Sequence, residues 1–206
     1  MDYTFNGRPV IVDLPTDETT LKPVKLCFHG ASGNAATFKA QLALEPQDAY
    51  VVYLTASGTP TAWRVDANAE AEVAYINWVL EELKILHPNM DIDDITDIGH
   101  SNGGSMACTY AHYEPEIVQK VILINSYAVQ TVTDFTGEVR HIHAIDDTII
   151  PFDGGTYPSV ADTKAVFKTA GADYLLTEIK GDHSMASVKA ELLSNWGLTL
   201  SNIVGA

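Results

Sequence analysis

Apolar positions in this chain fall into short runs that alternate with longer helical stretches. Residues 2–5 and 8–14 flank Asn6-Gly7, a dipeptide that favours a two-residue hairpin turn. Residues 22–29 carry Val24, Leu26, Cys27 and Phe28 and predict a central strand, with a loop at 31–34 and a short helix over 35–44 behind it. Residues 50–54 predict a second buried strand, and 55–68, with Gly58, Pro60 and Trp63, predict a loop. The clearest helix covers 69–86. There Val73, Ile76, Val79, Leu80, Leu83 and Leu86 fall at helical spacing, Glu70, Glu72, Glu81 and Glu82 are expected mostly outside, and His87-Pro88-Asn89 ends the run.

The second half continues the alternation. Strands are predicted at the end of 91–98 and at 121–125, 139–145 and 174–179, with helices over 105–112, 160–170 and about 184–195. No internal repeat, low-complexity tract or linker interrupts the 206 residues. The expectation is a single α/β domain over 1–206, with a mostly parallel twisted sheet, helices on both faces and an N-terminal hairpin. In such sheets binding sites form at the carboxyl ends of the strands.

One such end carries chemistry. Gly99-His100-Ser101-Asn102-Gly103-Gly104 joins a predicted strand to a predicted helix, and glycine-x-serine-x-glycine in that context is the pattern of a nucleophile elbow. The turn strains the serine backbone, and side chains at 99 and 103 would collide with the adjoining strand and helix. Ser101 Oγ is then held out at the sheet edge, beside the N–H of Asn102 at a helix N-terminus. A serine nucleophile needs a base and an acid that orients the base. Around this elbow their order along the chain is serine, acid, histidine.

Only one histidine follows the last predicted strand: His183, in Gly181-Asp182-His183-Ser184. The strand ending near Ile145 offers Asp146 and Asp147, and position alone does not separate them. Asp153 and Asp182 lie farther from a strand end. An oxyanion hole requires two N–H donors. Asn102 supplies one, and the loop His29-Gly30-Ala31-Ser32-Gly33-Asn34 points to Ala31 for the other. His29 and His143 read as structural, and His100 as packing on the far side of the turn. No histidine pair sits at a metal-ligand spacing with a carboxylate on one helix, so no metal site is expected.

Composition narrows the partners. A formal charge of −15 argues against nucleic acid and anionic membrane surfaces, both of which need a basic face. Cys27 and Cys108 lie in apolar surroundings and read as buried free thiols. Met1 to Gly7 has neither a basic nor an apolar leader segment, and no run is long enough to span a membrane, so the default expectation is a cytoplasmic chain. Secretion would need a leader ahead of Met1. Nothing fixes the oligomeric state.

The chain resembles the α/β-hydrolases, and more narrowly the polyhydroxybutyrate depolymerase and feruloyl esterase group. The likeness rests on Leu26-Cys27-Phe28-His29-Gly30, on Gly99 to Gly104, and on the block from His143 to Gly155, and it covers most of the chain. In the group that last block reads roughly H-G-x-x-D-x-x-V-P-Y-x-G-G, a register that puts the acid on Asp147. Trp63-Arg64-Val65-Asp66 is similar to a tryptophan-containing loop of these enzymes. Ala144 replaces a usual glycine, the disulfide cysteines of secreted members are missing, and His183 lacks its common glycine and tryptophan neighbours.

The resemblance implies acyl transfer from a small-molecule ester through Ser101, His183 and Asp147, with no cofactor. The short stretch 126–138 leaves no room for a helical cap domain, so the site is expected to be open, edged by some of Trp63, Tyr127, Phe152, Tyr157 and Met185. Short acyl esters, aryl esters or polyester ends suit such a cleft. A thioesterase or serine peptidase on the same scaffold, and a non-catalytic binding module, are the competing readings.

Overall fold

Alternate residues of each central strand face opposite ways, and in this chain both faces are apolar. In the computed structural model, which describes residues 1–45, 47–66, 69–129, 132 and 134–189, this pattern produces two cores on either side of one sheet. The strands are β1 (Asp2–Phe5), β2 (Arg8–Asp13), β3 (Lys22–Phe28), β4 (Tyr50–Leu54), β5 (Met90–His100), β6 (Val118–Ile124), β7 (Glu138–Ala144) and β8 (Asp173–Ile179). They lie in the order β1-β2-β4-β3-β5-β6-β7-β8. The first two strands form the antiparallel hairpin, with Asn6 and Gly7 both at positive φ in its turn, and β2 runs antiparallel to β4. From β4 to β8 every pairing is parallel.

Helices α1 (Ala35–Leu42), α2 (Ala69–Leu86), α3 (Asn102–Tyr113) and α4 (Val160–Ala170) lie in four of the five crossovers between parallel strands. Val24, Leu26 and Phe28 of β3 face the larger core with α2, α3 and Phe167 of α4. Cys27 faces the smaller one with Phe38 and Leu42 of α1 and with Met185 and Val188. One boundary and one residue's exposure differ notably from the sequence reading. Helix α3 begins at Asn102, immediately after the serine, because the elbow turns straight into it. Leu86, counted with the apolar face of α2, is 54% exposed at the helix end. Beyond Lys189 the expected last helix lies outside the described residues. In the segment between β6 and β7 no described residue is helical.

Glu72 departs from its expected place. It is buried, accepts a 2.7 Å ion pair from Arg8 Nη2 and a 2.6 Å bond from Ser57 Oγ, while Arg8 lies 3.5 Å over the Tyr75 ring. Arg8 Nε also donates to the carbonyl of Thr55 at 2.7 Å, so the pair ties the hairpin and α2 to the start of the 55–66 loop. Both cysteines are free and buried, as the sequence predicts.

Asp97 is anomalous. It pairs in register with Leu26 and Val121, is fully buried on the α3 side, and neither carboxyl oxygen has a hydrogen-bond partner. Burial holds its carboxyl well above the usual carboxylate range. The unfolded chain releases that proton near pH 4, so above that pH the native state binds more protons and stability falls as pH rises toward the raised value. Asp97→Val should therefore raise the urea midpoint, with a gain that grows from pH 5 to pH 8 by up to roughly 1.4 kcal/mol per pH unit. An equal midpoint, or a gain independent of pH, would contradict this account of the carboxyl.

Candidate active site

The chain turns from β5 into α3 within a single residue. Ser101 adopts φ 56° and ψ −126°, a conformation that L side chains rarely take. Two glycines make the turn physically possible. A Cβ on Gly99 would stand 2.2 Å from the carbonyl oxygen of Gly103, and one on Gly103 would stand 2.0 Å from that of Phe28. The turn is held from below as well: Ser101 N–H donates to Ile124 O at 3.0 Å, and Ser126 Oγ donates to Ser101 O at 2.6 Å.

Ser101 Oγ lies 2.9 Å from His183 Nε2, and His183 Nδ1 lies 2.7 Å from Asp147 Oδ2. A carboxylate only accepts, so Nδ1 carries the proton and Nε2 is free to accept from the serine hydroxyl. Asp147 Oδ1 in turn accepts the backbone N–H groups of Ile149 and Ile150 at 2.8 and 2.9 Å. Its side chain is buried, whereas neighbouring Asp146 is exposed. The two aspartates that sequence position left unresolved thus occupy different environments, and only Asp147 meets the histidine.

Four other histidines surround this chain of bonds, and burial lowers the pKa of each. His143 Nε2 donates to Ile150 O at 2.9 Å and sits 3.7 Å from Asp147 Oδ2; both favour a charged ring, but burial outweighs them and lowers its pKa. His141, pushed down to about 3, donates from Nε2 to His143 Nδ1 at 3.1 Å and accepts from Tyr174 Oη at 2.6 Å. His29 donates from Nδ1 to Gly30 O and accepts the Ala56 N–H on Nε2 at 3.0 Å. His100, pushed down to about 4, donates from Nε2 to the carbonyl of His183 at 2.8 Å.

The loop after β3 approaches from the other side. Ser32 N–H donates to Thr61 O, Gly33 N–H donates to Gly30 O, and Trp63 Nε1 donates to His29 O at 2.9 Å. Trp63 N–H also donates to Asn102 Oδ1 at 2.7 Å, and Asn102 Nδ2 returns a bond to Trp63 O at 3.2 Å. The backbone N–H groups of Ala31 and Asn102 make no internal hydrogen bond among the described residues. A cavity of about 280 Å³ opens beside them, lined by Gly30, Ala31, Gly33, Gln41, His100, Ser101, Ile149 and His183.

None of the five side chains expected to edge the cleft lines this cavity. Trp63 is buried edge-on against Phe28, and Met185 packs in the smaller core. Phe152 meets His143 edge-on, and Tyr127 pairs with Tyr157 at 4.9 Å. Of the four aromatics only Trp63 is buried; Tyr127 and Phe152 are half-buried and Tyr157 is exposed. His100, in contrast, was expected on the far side of the turn and instead lines the cavity. Gln41 and Asn125 went unnoticed. An asparagine-serine pair directly after an apolar strand that ends at the same sheet edge was the available signal for Asn125. Among the described residues, no cluster of histidine, cysteine, aspartate or glutamate is placed to hold a metal ion, and no helix is long and apolar enough to cross a membrane.

A family model described as the alpha/beta hydrolase fold matches residues 53–148. The solved Bacillus cereus carboxylesterase superposes with a TM-score of 0.70 at 17% identity, over 90% of this chain and 92% of that one. Est1E from Butyrivibrio proteoclasticus gives a TM-score of 0.65 at 17% identity, over 94% and 97%. In sequence, a probable feruloyl esterase C of Aspergillus niger is 22% identical over 166 residues, 74% of this chain and 60% of that protein. A serine hydrolase-like protein of Danio rerio is 30% identical over 58% of this chain and 36% of its own length. An uncharacterized protein of Mycobacterium tuberculosis is also 30% identical, and the chain spans 30% of its length. The fold is that of the α/β-hydrolases. Within that fold the chain resembles the esterase-like group that includes carboxylesterases and feruloyl esterases.

The elbow's dependence on glycine can be tested by itself. Gly103→Ala forces a methyl group onto the backbone of β3 and should cost several kcal/mol, on the order of 3 or more, read as a lower denaturant midpoint. A midpoint within about 0.5 kcal/mol of the parent would show that α3 does not pack as closely as described.

Proposed function

We propose that this protein is a single-domain serine carboxylic ester hydrolase acting on short-chain or aryl esters through an acyl-enzyme. The observation that carries the reading is the unbroken chain from Ser101 Oγ through His183 to the buried Asp147. In the first half-reaction His183 Nε2 takes the serine proton as Oγ bonds to the ester carbonyl carbon. Charge develops on the carbonyl oxygen, and we assign its stabilisation to the N–H groups of Ala31, which lines the cavity, and of Asn102, which follows the serine at the start of α3. The C–O bond to the alcohol then breaks, and the alcohol leaves with the proton from Nε2. In the second half-reaction water gives a proton to the same nitrogen, its oxygen bonds to the acyl carbon, and Ser101 regains the proton as the acid departs. Asp147 accepts from His183 Nδ1 and holds the imidazole in the tautomer that both halves need.

The chain's own residues supply nucleophile, base and oxyanion donors, so the mechanism calls for no cofactor. A cavity of about 280 Å³ suits an acyl group of a few carbons, and the exposed Ile149 and Gln41 leave its mouth open to a bulky alcohol or aryl group. The fungal relative's name and the structure of Est1E with ferulic acid bound support including aryl esters.

Two measurements test the reading. On a panel of p-nitrophenyl esters of rising acyl length, methyl ferulate, an acyl-CoA and a peptide anilide, kcat/KM should be highest for a short acyl or aryl ester. Preference for the thioester or the anilide would replace the ester reading with one of those activities. Asp147→Asn should lower kcat about 10³- to 10⁴-fold, while Asp146→Asn should change it less than about twofold. The reverse ranking would place the acid on the wrong residue.

A further inference from the structure

The base sits on a loop that has far to travel. His183 follows β8, whereas Ser101 stands at the end of β5, with β6 and β7 between them. At about 4.8 Å per strand, the loop must cross roughly 14 Å of sheet edge to reach the serine. Its next-door carbonyls show how it is held there. Asp182 O accepts from Asn125 Nδ2 at 3.2 Å, and Asn125 is the residue immediately after β6. His183 O accepts from His100 Nε2 at 2.8 Å, and His100 is the last residue of β5. Successive residues of the loop are thus gripped by side chains from successive strands beneath them.

The donors are themselves fixed. Asn125 is fully buried at φ 44°; its Oδ1 accepts the Ala144 N–H at 2.8 Å and its own N–H donates to Ile142 O at 2.9 Å. With Oδ1 on a donor and Nδ2 on a carbonyl, the amide has only one orientation that satisfies both. His100 must carry its proton on Nε2, because its partner there is a carbonyl. Beyond the histidine, Asp182 Oδ1 accepts from Ser184 N–H, Ser184 Oγ and Ser187 Oγ at 2.9, 2.5 and 2.7 Å, which fastens the downstream side of the loop.

The need for such fastening follows from exposure. The His183 side chain is 19% exposed, so the cavity side leaves it partly uncovered and its aim depends on the backbone that carries it. We propose that Asn125 and His100 are positioning residues that clamp the carbonyls of Asp182 and His183 and thereby hold the imidazole in line between Asp147 and Ser101. The inference rests on the ester-hydrolase reading of the same site. It assigns His100 a task other than proton transfer, for which its neutral, carbonyl-bound ring is unsuited.

The test is a donor swap at His100 with a second lesion at Asn125, all measured on a p-nitrophenyl ester. His100→Phe keeps a ring but removes the donor; His100→Gln restores an amide N–H at similar reach. Asn125→Gly tolerates the positive φ and removes both side-chain bonds. The expected result is a kcat about 10- to 100-fold lower for His100→Phe and Asn125→Gly. Asn125→Gly, which lies outside the cavity, should leave KM within about twofold, and His100→Gln should recover at least about a third of the parent kcat. A His100→Phe enzyme within threefold of the parent, or His100→Gln as slow as His100→Phe, overturns the clamp, and the His100 pair decides the matter even if Asn125→Gly does not fold. With an active parent protein, such indifferent variants defeat the clamp alone. A parent protein inert toward every ester defeats the hydrolase reading and the clamp with it.

Discussion

The left-handed backbone of Ser101 governs the arrangement around it. The chain leaves β5 and enters α3 across this one residue, which is possible only because helix and strands approach within the space a Cβ would need at Gly99 and Gly103. The strain is offset by bonds from the β6 side, where Ile124 O accepts the serine N–H and Ser126 Oγ donates to the serine carbonyl. With the turn fixed, three consequences follow from one geometry. The hydroxyl stands clear of the sheet, the helix N-terminus opens toward it, and the loop after β3 is brought alongside.

Electrostatically the site separates one histidine from four others. His29, His141 and His143 are buried and His100 half-buried; desolvation lowers the pKa of each, and all are bonded to carbonyls or to each other, so they act as struts. Of these five, His183 is the one that pairs with a carboxylate on one nitrogen and a hydroxyl on the other. The same logic of burial explains Asp97, whose unpartnered carboxyl is tolerated in the core only in its neutral form.

Much of this was legible in the residues. Strand and helix alternation gave the sheet, since apolar runs such as 50–54 and the helical spacing of 69–86 carry strong periodic signals. The order of Ser101, the aspartate pair and His183 came from the elbow pattern, and the register of the Asp147 block came from family likeness. What escaped was set by tertiary contact. Glu72 looked like a surface residue because its partner, Arg8, lies 64 positions away in sequence. His100 was placed on the wrong side because the side-chain direction at a strained turn depends on the bond it makes to His183 O. The aromatics near the strand ends were read as cleft walls because apolar residues in loops look alike whether they pack inward or face a cavity.

The central claim is that Ser101 is activated by His183 for attack on an acyl carbon. Treating the protein with a fluorophosphonate and mapping the adduct by peptide mass spectrometry tests it most directly. The account predicts one adduct per chain, on Ser101, with esterase activity lost in proportion to labelling. An unmodified Ser101, with no adduct formed or with the label on another residue, would contradict it.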